Sequence, residues 1–210
     1  MNAAPVNAAP VNAAPVSDAP ENAAPGQPPS FERAAPLALP EVWHIPGKTP
    51  HPSADHPASR VARTAPNPTD PAHWRDNLAY LYGLRLYHAG FYWEAHEVWE
   101  AVWMNARPNS PERHLLQGLI QLANAGLKIR MGKLRAVQRL GTIASGHLAD
   151  ANRAIGAPSP NRDLMGLELT AVRSATANFA EAALRSDAAS LSALPPLMPE
   201  LGRHVRKNAL

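Results

Sequence analysis

The run Phe91-Tyr92-Trp93-Glu94-Ala95-His96-Glu97-Val98-Trp99-Glu100-Ala101-Val102-Trp103 holds one imidazole and two carboxylates at positions 96, 97 and 100. Positions four apart share a helix face, so His96 and Glu100 are spaced as two ligands of a divalent metal. The pattern is one residue type away from the His-Glu-x-x-His zinc signature. Helix pitch turns Glu97 by about 100° from His96, which leaves it free to act as a base on metal-bound water. On this reading the chemistry is hydrolytic and Glu97 is the catalytic candidate.

Ligand counting argues the other way. A catalytic zinc takes three protein ligands. The next apolar-periodic segment offers His114, Gln117 and Gln121, of which only His114 is a good donor. The metal candidates are therefore His96, Glu100 and His114, with His88, His147 and Glu168 as further donors from other segments. The Glu-x-x-His pattern of di-iron and di-manganese bundles is missing here. No cofactor is assigned, a divalent metal is not favoured, and stoichiometric zinc is not expected in the purified chain.

The competing reading makes the same residues a polar network or pocket between two helices, which would fix their register. Arg85 would pair with Glu94 or Glu97, and the Gln117 amide would bond the His96 ring. Arg85, Glu94, His96, Glu97, Glu100, Trp103, Gln117 and Gln121 make up that set. Gln117, Gln121 and Asn124 fall on one stripe, and Gly118 allows close approach. His147 and Glu168 each stand on an otherwise apolar face and form a further candidate pair. Trp74, Trp93, Trp99 and Trp103 read as core rather than as a cofactor box.

The elements that must position these groups are all helical. Asp70-Pro71 is a cap followed by a proline at the first helical position, and Trp74, Leu78, Leu81 and Tyr82 recur at helical spacing until Gly90. A second helix runs from Phe91 to before Arg107-Pro108, and a third opens at Ser110-Pro111-Glu112 and runs to Gly132. A fourth carries Val137, Leu140, Ile143, Ala144 and Leu148 and breaks at Gly156-Ala157-Pro158. A fifth, from about Arg162, carries Leu164, Ala171, Val172, Ala175, Phe179 and Ala182, and a short helix is expected after Pro196. No segment alternates as a strand does. The expected fold is an all-α compact bundle of five to six antiparallel helices over residues 70–210.

The N-terminal third is different. The chain has 23 prolines in 210 residues, against a usual share of about 5%. From Asn2 it reads NAAPV three times and then SDAPE and NAAPG, a period too short and too poor in large side chains to build a core. Residues 1–69 read as a disordered tether continuing into a loop segment whose prolines are too close for a helix, with Phe31, Trp43 and Ile45 as anchors. Residues 1 to about 65 are expected to be dispensable for folding. That leaves roughly 140 residues, an ordinary single-domain length.

Zero cysteines exclude disulfides, thiolate metal sites and cysteine nucleophiles. Neither a basic and apolar leader nor a transmembrane stretch is visible, so the chain is expected in the cytoplasm and off the membrane. A net charge of +3 does not call for nucleic acid. The basic residues Lys128, Arg130, Lys133, Arg135 and Arg139 read as helix-end and surface charge rather than an anion site. Self-association is left open.

Two linked motifs carry a resemblance. Gly90 to Glu100 with its Glu-Ala-His-Glu string, Trp103, and then Gln117-Gly118-Leu119-Ile120-Gln121-Leu122-Ala123 are similar to the pattern of family 309 of the domains of unknown function. Gly132-Lys133-Leu134-Arg135-Ala136 resembles the family's Gly-Asn-x-x-Gly-Ala turn, with Lys133 and Arg135 departing from it. The likeness covers roughly residues 74–155. It implies a small helical protein and, from the label some members carry, a metal-dependent hydrolase. The residues themselves favour a binding or scaffold module with a polar pocket, with hydrolysis through His96, Glu97 and Glu100 as the alternative.

Overall fold

The computed structural model describes residues 37–156 and 163–185. The pentapeptide run, Phe31 and the helix expected after Pro196 lie outside the described residues. The elements are α1 (Pro57–Ala62), a 3-10 turn (Pro71–Asp76), α2 (Leu78–His88), α3 (Tyr92–Met104), α4 (Pro111–Arg130) and α5 (Leu134–Ala154). Two short strands, β1 (Asp163–Leu164) and β2 (Leu167–Glu168), pair antiparallel ahead of α6 (Leu169–Arg185). A compact helical bundle is the result, and among the described residues no helix is long and apolar enough to cross a membrane.

Local sequence sets most boundaries. Asp70 Oδ1 accepts the Ala72 N–H at 2.8 Å ahead of Pro71, and Ser110 Oγ accepts the Arg113 N–H at 3.3 Å ahead of Pro111. The first expected helix comes in two pieces, because Asn77 leaves helical geometry and recaps α2 by accepting the Tyr80 N–H at 3.0 Å. Gly90 and Gly132, with φ of +82° and +68°, end α2 and α4 in the same way. In each, the glycine N–H and the next N–H bond back to successive carbonyls of the last turn, Tyr87 and Leu86 in one, Ile129 and Lys128 in the other.

Each helix packs on its neighbour in the chain, most extensively α4 on α5, then α5 on α6 and α3 on α4. Small residues bring the axes together: Gly83 lies under the Trp99 indole, and Gly118 lies against Leu148 and the Ala144 carbonyl. Trp99, Tyr80, Tyr82, Leu115, Leu119 and Phe179 fill the fully buried interior.

Two expectations are corrected. The fifth helix begins at Leu169 rather than near Arg162, because Met165 and Gly166 take φ of +50° and +77° and turn the chain into a hairpin. Tyr80 donates its hydroxyl to the Met165 carbonyl at 2.8 Å, and Trp74 lies against Gly166 where a Cβ would stand. Proline spacing also does not keep residues 37–69 free of helix, since α1 forms with Pro57 in its first turn and buries Ala58.

That segment lies on the bundle as a strap. Tyr82 Oη donates to the Ala38 carbonyl at 2.6 Å, Arg85 Nη1 donates to the Leu37 carbonyl, and the His44 N–H donates to Glu94. At its far end Thr69 donates through its N–H to the Asn105 carbonyl and through Oγ1 to the Val102 carbonyl, closing on the last turn of α3. Trp43, though 42% exposed, meets Phe91 edge-on at 6.2 Å between ring centres.

Candidate functional site

Helix α3 is set by what its apolar face buries. Ala95, Val98, Trp99 and Val102 are fully buried, and Trp99 Nε1 donates to the Tyr80 carbonyl at 3.2 Å. With that face inward, His96, Glu97 and Glu100 come to the helix edge, each half-buried.

Glu94 separates from them. It is 0% exposed, and Oε1 accepts the His44 N–H at 2.7 Å while Oε2 has no hydrogen-bond partner. Burial pushes its carboxyl above the ordinary value, against the opposing pull of the His44 N–H and the Arg130 charge. Beside it the His44 and His51 rings meet Trp93 edge-on at 4.7 and 5.2 Å. Glu94 thus anchors the strap, a role that motif reasoning missed because its partner is a backbone amide.

His96 Nε2 lies 3.7 Å from Glu100 Oε2, with side chains 23% and 39% exposed. With Glu97 they offer one ligand atom each, all within 4.8 Å of one another. Tetrahedral donors on bonds of about 2.1 Å stand about 3.4 Å apart, so the 3.7 Å between His96 and Glu100 is near ligating separation. These residues fit a divalent cation. The third group of this cluster is Glu97 of the same helix, whereas His114 groups with His147 and Asp150 across the α4–α5 interface.

The expected network divides. Gln117 and Gln121 are half-buried on α4, and among the described residues no hydrogen bond joins either to His96. Trp103 lies under the Arg113 guanidinium, 4.2 Å from the ring centre, and Arg113 Nη1 donates to the Trp103 and Ala106 carbonyls at 3.0 and 2.7 Å. Arg113 therefore closes the C-terminal end of α3; the sequence showed only a charge in the first turn of α4. Glu168 does not pair with His147: its two oxygens accept the Thr170 and Ala171 N–H groups and cap α6. His88 meets Tyr87 edge-on at 5.7 Å. Of the basic cluster, Arg130 stacks 4.0 Å over Trp43. A groove of about 510 Å³ between α5 and α6, lined in part by Gln138, Thr142, Arg173 and Glu181, includes none of the α3 residues.

Residues 80–140 match the family model described as Domain of unknown function (DUF309), over the span that holds both motifs of the resemblance. No curated protein and no solved structure matches the chain.

Proposed function

We propose that the chain, whose residues 80–140 match that uncharacterised domain, is a helical binding module whose ligand is a divalent cation held by His96, Glu97 and Glu100. The supporting observation is the convergence of three ligand atoms within 4.8 Å at a half-exposed helix edge. One imidazole and two carboxylates favour a cation that accepts oxygen donors, such as manganese. Three protein ligands from one helix leave coordination positions for water or for a ligand group.

Metal-dependent hydrolysis is the second reading, favoured by the exposure of His96 and Glu100. A bound cation would supply a water acidified to near neutrality, with a pKa of about 7 for zinc in the best-known case. Glu97 is then either the third ligand or the base, and these roles exclude one another.

Titration of the metal-free full chain with Mn²⁺ tests the binding. About one ion per chain is expected, lost in His96→Ala and Glu100→Gln and retained in His147→Ala. No binding, or binding unaffected by the first two substitutions, would overturn it. Hydrolysis of an activated ester by the loaded chain separates the roles of Glu97: in Glu97→Gln a base loses turnover with Mn²⁺ still bound, whereas a ligand loses Mn²⁺.

A further inference from the structure

We propose that His114, His147 and Asp150 form a second, separate cation site, built across two helices and suited to a divalent transition metal of borderline softness such as zinc. His114 stands in the first turn of α4, and His147 and Asp150 stand three residues apart near the end of α5. The sharp turn at Gly132 brings those two ends together. Their ligand atoms, one per residue, all lie within 4.8 Å of one another.

A second observation points to a ligand. The Nδ1 atoms of His114 and His147 are both buried, and neither has a hydrogen-bond partner. Buried polar nitrogens are ordinarily satisfied, and two in one cluster mark a place where something they bind is required. Neither Nδ1 bonds to the other ring or to any other described group. A cation bound within the cluster is a partner of the kind these nitrogens lack.

The electrostatics agree. Burial holds the His147 ring below the ordinary histidine value and His114 adds to this, while Asp150 opposes it. His147 therefore stays neutral and keeps a lone pair free near neutral pH, as a ligand must. Asp150 brings the negative charge that a divalent ion needs. Its Oδ1 accepts from Arg153 Nη2, a contact on the outer side of α5 that would orient the carboxylate behind the metal. With the Asp150 side chain 35% exposed, a fourth position opens to solvent. Two imidazoles and one carboxylate make a zinc-type donor set, more nitrogen-rich than the set on α3.

The test is Zn²⁺ binding to the metal-free full chain, followed by competition with a chromophoric chelator, with folding checked by circular dichroism. His147→Ala should weaken zinc at this site by more than about a hundredfold, since loss of an outer-shell partner alone typically costs ten- to a hundredfold. Asp150→Asn, at a half-exposed position that will not disturb folding, should weaken it by at least about tenfold. His96→Ala should leave this zinc in place, which keeps the outcome independent of the reading of α3. Zinc binding equal to the parent chain in both His147→Ala and Asp150→Asn, or no zinc bound by the parent, overturns the proposal.

Discussion

The backbone N–H of His44 sits 2.7 Å from Glu94 Oε1, fifty residues away in the chain and fully buried. This contact ties the proline-rich strap to the most acidic stretch of α3, and its pull opposes the burial that raises that carboxyl's value.

Because burial raises the Glu94 value above 4.5, the folded chain holds its proton to higher pH than the unfolded chain does. The associated stability is fully present below about pH 4.5 and is lost as pH rises through the folded value. Glutamine imitates the protonated form at every pH. Thermal melts of Glu94→Gln and the parent from pH 4 to 7 should therefore shift in favour of glutamine as pH rises, and a difference independent of pH would refute the assignment. Glu94→Ala, which strands the His44 N–H, should cost about 1–3 kcal/mol near pH 4 and less as pH rises and the parent loses the same contribution.

Deletion of residues 1–66 measures what the strap contributes and whether it belongs with the bundle. The sequence leads one to expect an almost unchanged melting transition. Loss of the Tyr82–Ala38, Arg85–Leu37 and His44–Glu94 hydrogen bonds, at about 1 kcal/mol each, predicts a cost of at least about 3 kcal/mol instead. Deletion of residues 1–36 is the control, as it leaves these bonds intact.

Two glycine substitutions should move stability in opposite directions. A Cβ at Gly83 would overlap the Trp99 indole, so Gly83→Ala should destabilise by about 1–3 kcal/mol. Nothing lies within 4 Å of a Cβ at Gly146, in the exposed middle of α5, so Gly146→Ala should stabilise by about 0.5–1 kcal/mol. Urea melts of the two variants decide this, and equal shifts would show that α3 does not seat on Gly83.

In the metal-free chain the His147 value lies below 6.5, so the unfolded state takes up a proton that the folded state refuses. Stability should therefore be full above about pH 6.5 and fall as pH drops from there toward the folded value. His56, also lowered by burial and by His44, acts in the same window. Replacing His147 with Gln should remove part of the slope and His147→Gln with His56→Gln more of it; an unchanged slope in the double variant would contradict both.

Where a signal is local, the sequence shows it. Asp70-Pro71, Ser110-Pro111, Gly90 and Gly132 each place a helix end through chemistry contained in a few neighbouring residues, and the Glu-Ala-His-Glu string marks the segment that matches the domain of unknown function. The misses are long-range. Met165 adopts positive φ where Trp74 and Tyr80 meet the turn, more than eighty residues on in the chain. The strap is held largely through backbone groups of Leu37, Ala38 and His44, which leave no trace in side-chain patterning. Spacing along α3 and α4 points to His114 as a partner of His96 and Glu100, whereas the register of α4 against α5, which groups it with His147 and Asp150, is not legible in the sequence.

The strap also imposes an order on assembly. Helices α2 to α6 each meet their neighbour in the chain, so their contacts close short loops and form early. Seating His44 on Glu94 closes a loop of 50 residues, an entropic term of about (3/2)RT ln 50, or roughly 3.5 kcal/mol, and its acceptor is in place only once α3 has formed. The strap therefore docks last and lifts first. Amide hydrogen exchange at His44 should report that partial opening, proceeding faster than exchange from the core amides of Leu119 and Leu122 while the bundle stays folded.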